Sequence, residues 1–427
     1  MDDVLAELEW RGMVHQVTDP DLGAKLKGER FVVYHGIDAT APSLHVGSFI
    51  GVLALQRLQR AGHRPLVILG GGTTLIGDPS GKDSERPMRT VDEVRGNVAA
   101  IRRQLERFLD FGPGDAQALL LDNADWLTTI PLTTFLRDVG KHFTVNVMIA
   151  RESVKARLET REQGISYTEF SYMLLQAYDY LHLFDAHGCR LQIGGSDQWG
   201  NITAGVELVR RARGEAVYGL TWPLLTKADG SKFGKSESGN VWLDPERTSP
   251  YDFFQHWMRT EDADVGRYLR LFTDLGPDEV EALEATTAER PQAREGQRVL
   301  AREVTAAVHG REEADQAVAA ASALFGGDLG SLSEASLLQA FAEAKSVTLP
   351  RADLDAGTLT VEEAVVRSEV VPSRSAARRE LDQGGIYVNN RRETDGGRAL
   401  GDADLLAGRY VVLRRGKRTY ALVRFGE

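Results

Sequence analysis

The sequence reads as an α/β protein in three parts: a doubly wound parallel sheet over residues 1–247, an α-helical domain over 248–350 and a small α+β domain over 351–427. Three observations point there. From Phe31 to about residue 220, short apolar runs alternate with longer stretches of helical periodicity, the pattern of βαβ units around a parallel sheet. After Thr248 the chain becomes Ala/Glu-rich and poor in strand formers. After about residue 350 it changes again, to arginine clusters, paired glycines and short β-like runs.

Taken in order, Phe31–Tyr34 and Leu66–Leu69 read as buried strands that end near glycine-rich turns. Between them Phe49–Leu58 reads as a helix stopped by Gly62. Ligands of such sheets sit beyond the carboxyl ends of the strands, where Tyr34 and the Gly70-Gly71-Gly72 turn lie. Tyr167–Asp179 reads as a helix, Pro223-Leu224-Leu225 as a strand, and Asp229-Gly230 as a tight turn. Thr248-Ser249-Pro250 looks like a helix start, with Ser249 as N-cap and Pro250 in the first turn. Leu349-Pro350-Arg351 and the region of Gly357 read as a linker, and Tyr410–Leu413 as a late strand.

The chain has 427 residues and one cysteine, Cys189. Within the chain this excludes a disulfide and a cysteine-rich zinc site. A site from His182, His187 and Cys189 lacks further partners, so no metal site is expected. The start, MDDVLAELEWRG, has neither a basic nor an apolar leader region, and no apolar run approaches the roughly 18 residues of a membrane span. A cytoplasmic protein with no membrane contact is the expectation. Net charge is −11, yet the 13 basic and 8 acidic residues from Val366 onward leave that tail at +5 and the rest at −16. A basic tail on an acidic body suits local contact with phosphate.

Common phosphate loops fail on inspection. Gly81-Lys82 lacks the upstream glycine, with Ile76 in its place and Asp83 following, and Gly70-Gly71-Gly72 has Leu75 where a third glycine belongs. What remains is Tyr34-His35-Gly36-Ile37-Asp38-Ala39-Thr40, leading into Leu44-His45-Val46-Gly47-Ser48. It runs from a strand to a helix N-terminus, with glycines for close approach and a helix end that favours anions. A second motif, Lys232-Phe233-Gly234-Lys235-Ser236, follows the Asp229-Gly230 turn; two ammonium groups around a glycine suit a clamp on pyrophosphate. Between the motifs, Tyr172, Gln176 and Asp179 fall at i, i+4 and i+7, one face of a helix amid apolar neighbours. Buried polar groups need partners, and a substrate is one kind of partner. Gln192-Ile193-Gly194-Gly195-Ser196-Asp197-Gln198 then offers a backbone approach at Gly195 and an acceptor at Asp197.

Together these segments resemble the class I aminoacyl-tRNA synthetases, and the tyrosyl branch of bacterial type over nearly the whole chain. The resemblance implies a Rossmann-like catalytic domain, a helical anticodon-binding domain and an S4-like RNA-binding domain. It implies that Tyr34 and Asp179 hold the phenol hydroxyl of L-tyrosine, that Asp78, Tyr172 and Gln176 hold its α-ammonium, and that Gln198 lies near its carboxylate. Gly36, Asp38, Gly195 and Asp197 would take the adenosine of ATP. Thr40, His45, Gly47 and Ser48 would meet the triphosphate; Ser48 departs from the His or Asn usual at that place. Lys82, Arg86, Lys232 and Lys235 would supply the mobile cations, and Mg2+ would accompany the ATP. The tail segment Pro372–Asn390 resembles the S4 module, with Arg374, Arg378 and Arg379 on one helical face toward tRNA(Tyr). By resemblance alone the protein is expected to be a homodimer. The rivals are a tryptophanyl enzyme with the same ATP machinery, a small-molecule nucleotidyltransferase and a non-catalytic RNA-binding paralogue.

Overall fold

A computed structural model describes residues 3–426 except 79, 81–88, 152–153, 156–164, 227, 229, 231–232, 237–238, 324–325 and 417–418, and only the backbone at 235–236. Lys82, Arg86 and Lys232 therefore lie outside the described residues. The chain forms two compact units, one of residues 1–247 with 261–296 and one of 248–260 with 297–427. The helical stretch expected at 248–350 is thus shared between them: Asp262–Phe272 and Pro277–Glu289 belong to the first, and Pro250–Met258 and Glu295–His309 essentially to the second.

The first unit is built on a six-stranded sheet. Its strands are β1 (Gln16–Val17), β2 (Val32–Ile37), β3 (Arg64–Leu69), β4 (Leu119–Asp122), β5 (Cys189–Gly195) and β6 (Tyr218–Trp222), in the order β1-β6-β5-β2-β3-β4. All neighbours are parallel except the short edge strand β1 on β6. β2 pairs with β3 on one side and β5 on the other. The chain reverses its direction of travel there, and ligands of such sheets sit beyond the carboxyl ends of the strands at that point. The strand expected at 223–225 is instead Tyr218–Trp222; Leu224 is 54% exposed. Every residue of β6 is buried, as in a strand covered on both faces.

Strands β7 (Lys235–Ser236) and β8 (Gly239–Asn240) form a separate two-residue ribbon. In the second unit a sheet runs β11-β10-β12-β13-β9, from β9 (Lys345–Pro350), β10 (Ile386–Val388), β11 (Arg391–Glu393), β12 (Tyr410–Arg415) and β13 (Thr419–Gly426). The segment read as a linker at 349–351 is the end of β9, an edge strand parallel to β13. An edge tolerates Pro350, and Leu349 is buried there. Alternation along the central strands serves two cores. Val411, Leu413, Ala421 and Val423 pack with helices Val361–Arg367 and Arg374–Asp382, while Tyr410, Val412 and Leu422 pack with Leu337 and Phe341.

Candidate active site

His45 does not sit loosely at its helix start; it is the N-cap of helix Val46–Arg60. Its Nδ1 accepts from the amides of Gly47 at 3.0 Å and Ser48 at 3.2 Å, and the Ser48 hydroxyl contacts the His45 amide at 3.0 Å and donates to its carbonyl at 2.9 Å. This reciprocal capping box fixes the imidazole at the positive end of a helix. It also gives Ser48 a definite task. Gly47 is needed because a Cβ there would lie 2.9 Å from the His45 ring.

The two motifs meet. Val46 donates to the Val241 carbonyl at 3.0 Å, and Leu243 to that of Leu44 at 2.9 Å. Trp242 forms a bridge with His45 and sets its ring edge-on to the imidazole at 6.1 Å. Gly234, at φ +79°, lies so close to the helix start that a Cβ would fall 3.0 Å from Val46 and 3.5 Å from the Gly47 nitrogen. The Lys235 backbone pairs with Asn240 in a two-residue ribbon. Phe233 stacks on Phe272 at 5.4 Å and tilts onto Tyr268 at 4.9 Å.

Between the motifs, the carboxyl ends of β2 and β5 and the helix Tyr167–His187 enclose a polar cluster. Tyr34 is 2% exposed, packs edge-on against Tyr180 at 5.2 Å, and has a hydroxyl with no hydrogen-bond partner among the described residues. The Oε1 atoms of Gln176 and Gln192 are buried and, among the described residues, equally without a partner. Asp179 accepts from Trp126 Nε1 at 2.8 Å and from Asn123 Nδ2 at 2.9 Å. Burial still outweighs those two donors and pushes its carboxyl up to about 7. Tyr34 is pushed well up too, by burial first and then by the Asp179 charge.

At the other end, Tyr172 donates to Asp38 Oδ2 at 3.4 Å and Thr73 donates to Asp38 Oδ1 at 3.1 Å. The Thr40 amide donates to the Asp38 carbonyl at 2.9 Å. Gln198 Nε2 donates to Asp78 Oδ2 at 2.7 Å, while Asp78 Oδ1 accepts from the Ser80 amide at 2.9 Å. Asn201 in turn donates to the Gln198 Oε1 at 3.1 Å. Gly195 has Asp197 folded over it, so close that a Cβ would lie 2.5 Å from Oδ1. Gly36 is exposed at the end of β2.

The sequence reading missed Asn123, Trp126 and Thr73. Asn123 follows the apolar run of β4 at its carboxyl end, and that position is the one signal that could have found it. Trp126 carries none, because its role depends on a contact across 53 residues. In the second unit, Arg374, Arg378 and Arg379 are exposed on helix Arg374–Asp382, with Arg378 ion-paired to Glu362 at 3.0 Å. Among the described residues, no group of three or more His, Cys, Asp or Glu side chains is placed to hold a metal ion. No helix among them is long and apolar enough to cross a membrane.

Comparison with known proteins bears on this geometry. Residues 26–326 match the family described as tRNA synthetases class I (W and Y), and residues 340–423 match the tyrosine--tRNA ligase SYY-like C-terminal domain. The chain is 54% identical over 424 residues to a tyrosine--tRNA ligase of Roseiflexus castenholzii, covering 99% of this chain and 100% of the other. It is 51% identical over 425 residues to that of Geobacillus stearothermophilus, again covering 99% and 100%. Among solved structures, a C-terminally truncated mitochondrial tyrosyl-tRNA synthetase of Aspergillus nidulans matches with a TM-score of 0.67 at 32% identity, over 74% of this chain and 92% of that one.

Proposed function

We propose roles for these residues from one premise: the chain belongs to the class I tRNA synthetases of the tryptophan and tyrosine family, and within it to the tyrosine--tRNA ligases. It activates tyrosine with ATP and passes the tyrosyl group to tRNA. The carboxylate of tyrosine attacks the α-phosphorus of ATP, pyrophosphate leaves, and the adenylate then gives its tyrosyl group to a ribose hydroxyl of the terminal adenosine of tRNA(Tyr). No protein nucleophile is required; positioning and charge stabilisation do the catalysis.

The observation that carries the substrate assignment is the unpartnered Tyr34 hydroxyl, buried near a carboxylate already oriented by Trp126 and Asn123. A phenol completes this arrangement, accepting from Tyr34 and donating to Asp179. Phenylalanine leaves the buried Tyr34 hydroxyl without an acceptor and gives Asp179 no further donor, and that penalty is the basis of selection. Asp78, Tyr172, Gln176 and Gln198 take the amino-acid backbone. Gly36, Asp38, Gly195 and Asp197 take the adenosine, Thr40 and His45 the phosphates, and Gly47 and Ser48 serve the phosphate site by holding His45 in its capping box. Lys82, Arg86, Lys232 and Lys235 supply cations, and Mg2+ arrives with ATP as part of the substrate.

Residues 1–247 carry the chemistry in this reading, 248–350 meet the anticodon, and 351–427 hold tRNA with Arg374, Arg378 and Arg379. A cytoplasmic homodimer completes it, supported by an exposed apolar stretch at Leu132, Leu136, Val145, Val147 and Ile149. Tyrosine-dependent exchange of labelled pyrophosphate into ATP tests the activity. Its absence in folded protein overturns the reading.

A further inference from the structure

We infer that Thr73 is a positioning residue that couples the phenol-recognising end of the site to its nucleotide end. The inference rests on the functional reading above. It starts from Asn123, which is 1% exposed. Its Oδ1 accepts from the amides of Gly72 at 2.8 Å and Thr73 at 3.4 Å. Backbone amides only donate, so the side-chain amide has one possible orientation, with its NH2 facing away from them. That NH2 donates to Asp179 Oδ2 at 2.9 Å and to Thr73 Oγ1 at 3.1 Å. A hydroxyl that accepts there has its own proton left to donate, and Asp38 Oδ1 stands 3.1 Å away.

Direction is therefore fixed along the whole line. Asn123 donates to Asp179 at one end and to Thr73 in the middle, and Thr73 donates to Asp38, which also accepts from Tyr172. Two carboxylates terminate the line, so it does not reverse while both are ionised. Thr73 is 3% exposed, and in that low-dielectric setting successive hydrogen bonds polarise one another. The junction is also sterically built. A Cβ on Gly70 would fall 2.5 Å from Asp38 Oδ1 and 2.6 Å from Thr73 Oγ1, so only glycine leaves room for the two to meet. A tyrosine phenol that settles on Asp179 thus tightens the placement of Asp38, and a nucleotide on Asp38 acts back on Asp179 to the same extent.

Thr73→Val removes the hydroxyl and keeps the shape; Thr73→Ser keeps the hydroxyl. In pyrophosphate exchange, the Val variant is expected to raise the KM for tyrosine and the KM for ATP, each by about tenfold. The Ser variant is expected to stay within about twofold of the parent for both. The tyrosine dissociation constant, followed by intrinsic fluorescence with and without a methylene analogue of ATP, depends on the analogue in the parent and loses that dependence in the Val variant. A change in one substrate constant only, or in neither, overturns the inference, because Thr73 is then a local contact. A Ser variant as impaired as Val overturns it too, since packing alone explains that. If the Val variant does not fold, Thr73→Ala is measured against the same expectations. An absence of tyrosine-dependent exchange in the parent itself refutes the functional reading instead.

Discussion

At the scale of single residues, Asp179 is the group on which most depends. Its carboxyl is raised to about 7, chiefly by burial. Tyrosine is best held by the ionised form, which accepts from the phenol. The KM for tyrosine should therefore fall as pH rises from about 6 to about 8, with proton release on binding near the lower value. The stability sign is opposite. A carboxyl whose folded pKa is raised stabilises the folded state at low pH, and that contribution is lost as pH climbs through about 7. Asp179→Asn should remove most of the pH dependence of tyrosine binding and lower the melting temperature, because its NH2 must face either Trp126 Nε1 or the Asn123 NH2, both of them donors. A parent whose tyrosine KM stays flat across this window contradicts the assignment. Ser48 shows how a single position is read differently in sequence and in structure. From sequence it is an odd fourth member of a phosphate motif; in the fold it closes a capping box with His45. Spacing alone made the Tyr172, Gln176 and Asp179 face visible. Asn123, Trp126 and Thr73 stayed hidden because their significance lies in non-local hydrogen bonds.

At the scale of elements, periodicity located β2 and β3, since buried parallel strands are continuous apolar runs, but β1, β4 and β5 were not read as strands. It failed at two ends. Pro223–Leu225 looked like a strand because of its apolar run, whereas β6 ends at Trp222. Leu349-Pro350 looked like a linker because proline signals a break, yet an edge strand accommodates proline. Helix Arg374–Asp382 places its three arginines in solvent. Replacing Arg374, Arg378 and Arg379 together by Ala should leave tyrosine-dependent pyrophosphate exchange at the parental rate. It should raise the KM for tRNA by roughly tenfold or more and flatten its salt dependence. Filter binding across a salt series checks this, and an unchanged slope removes the helix from the tRNA interface.

At the scale of the whole molecule, the compact units divide after residue 247, but residues 261–296 return to the sheet unit, so the helical stretch is split between the two. Sequence composition reports which segments are helical, but not which core each helix joins. The second whole-molecule feature is the apolar surface at 132–149, where Leu132 is 69% and Val145 58% exposed. An interface would cover side chains of this kind, and the proposed homodimer would bury them. Leu136→Glu should shift the protein from dimer to monomer in light scattering at micromolar concentration, with secondary structure intact. A parent that is already monomeric at that concentration contradicts the dimer.

In the proposed function a buried Tyr34 hydroxyl and an oriented Asp179 carboxylate select a phenol. The most direct test compares kcat/KM for tyrosine and phenylalanine in pyrophosphate exchange, for the parent and for Tyr34→Phe. The parent should use tyrosine and give almost no rate with phenylalanine. Tyr34→Phe should retain activity but lose about tenfold of that preference, the loss expected for one buried hydrogen bond. A parent that turns over phenylalanine nearly as well as tyrosine, or a variant whose preference is unchanged, would contradict the claim.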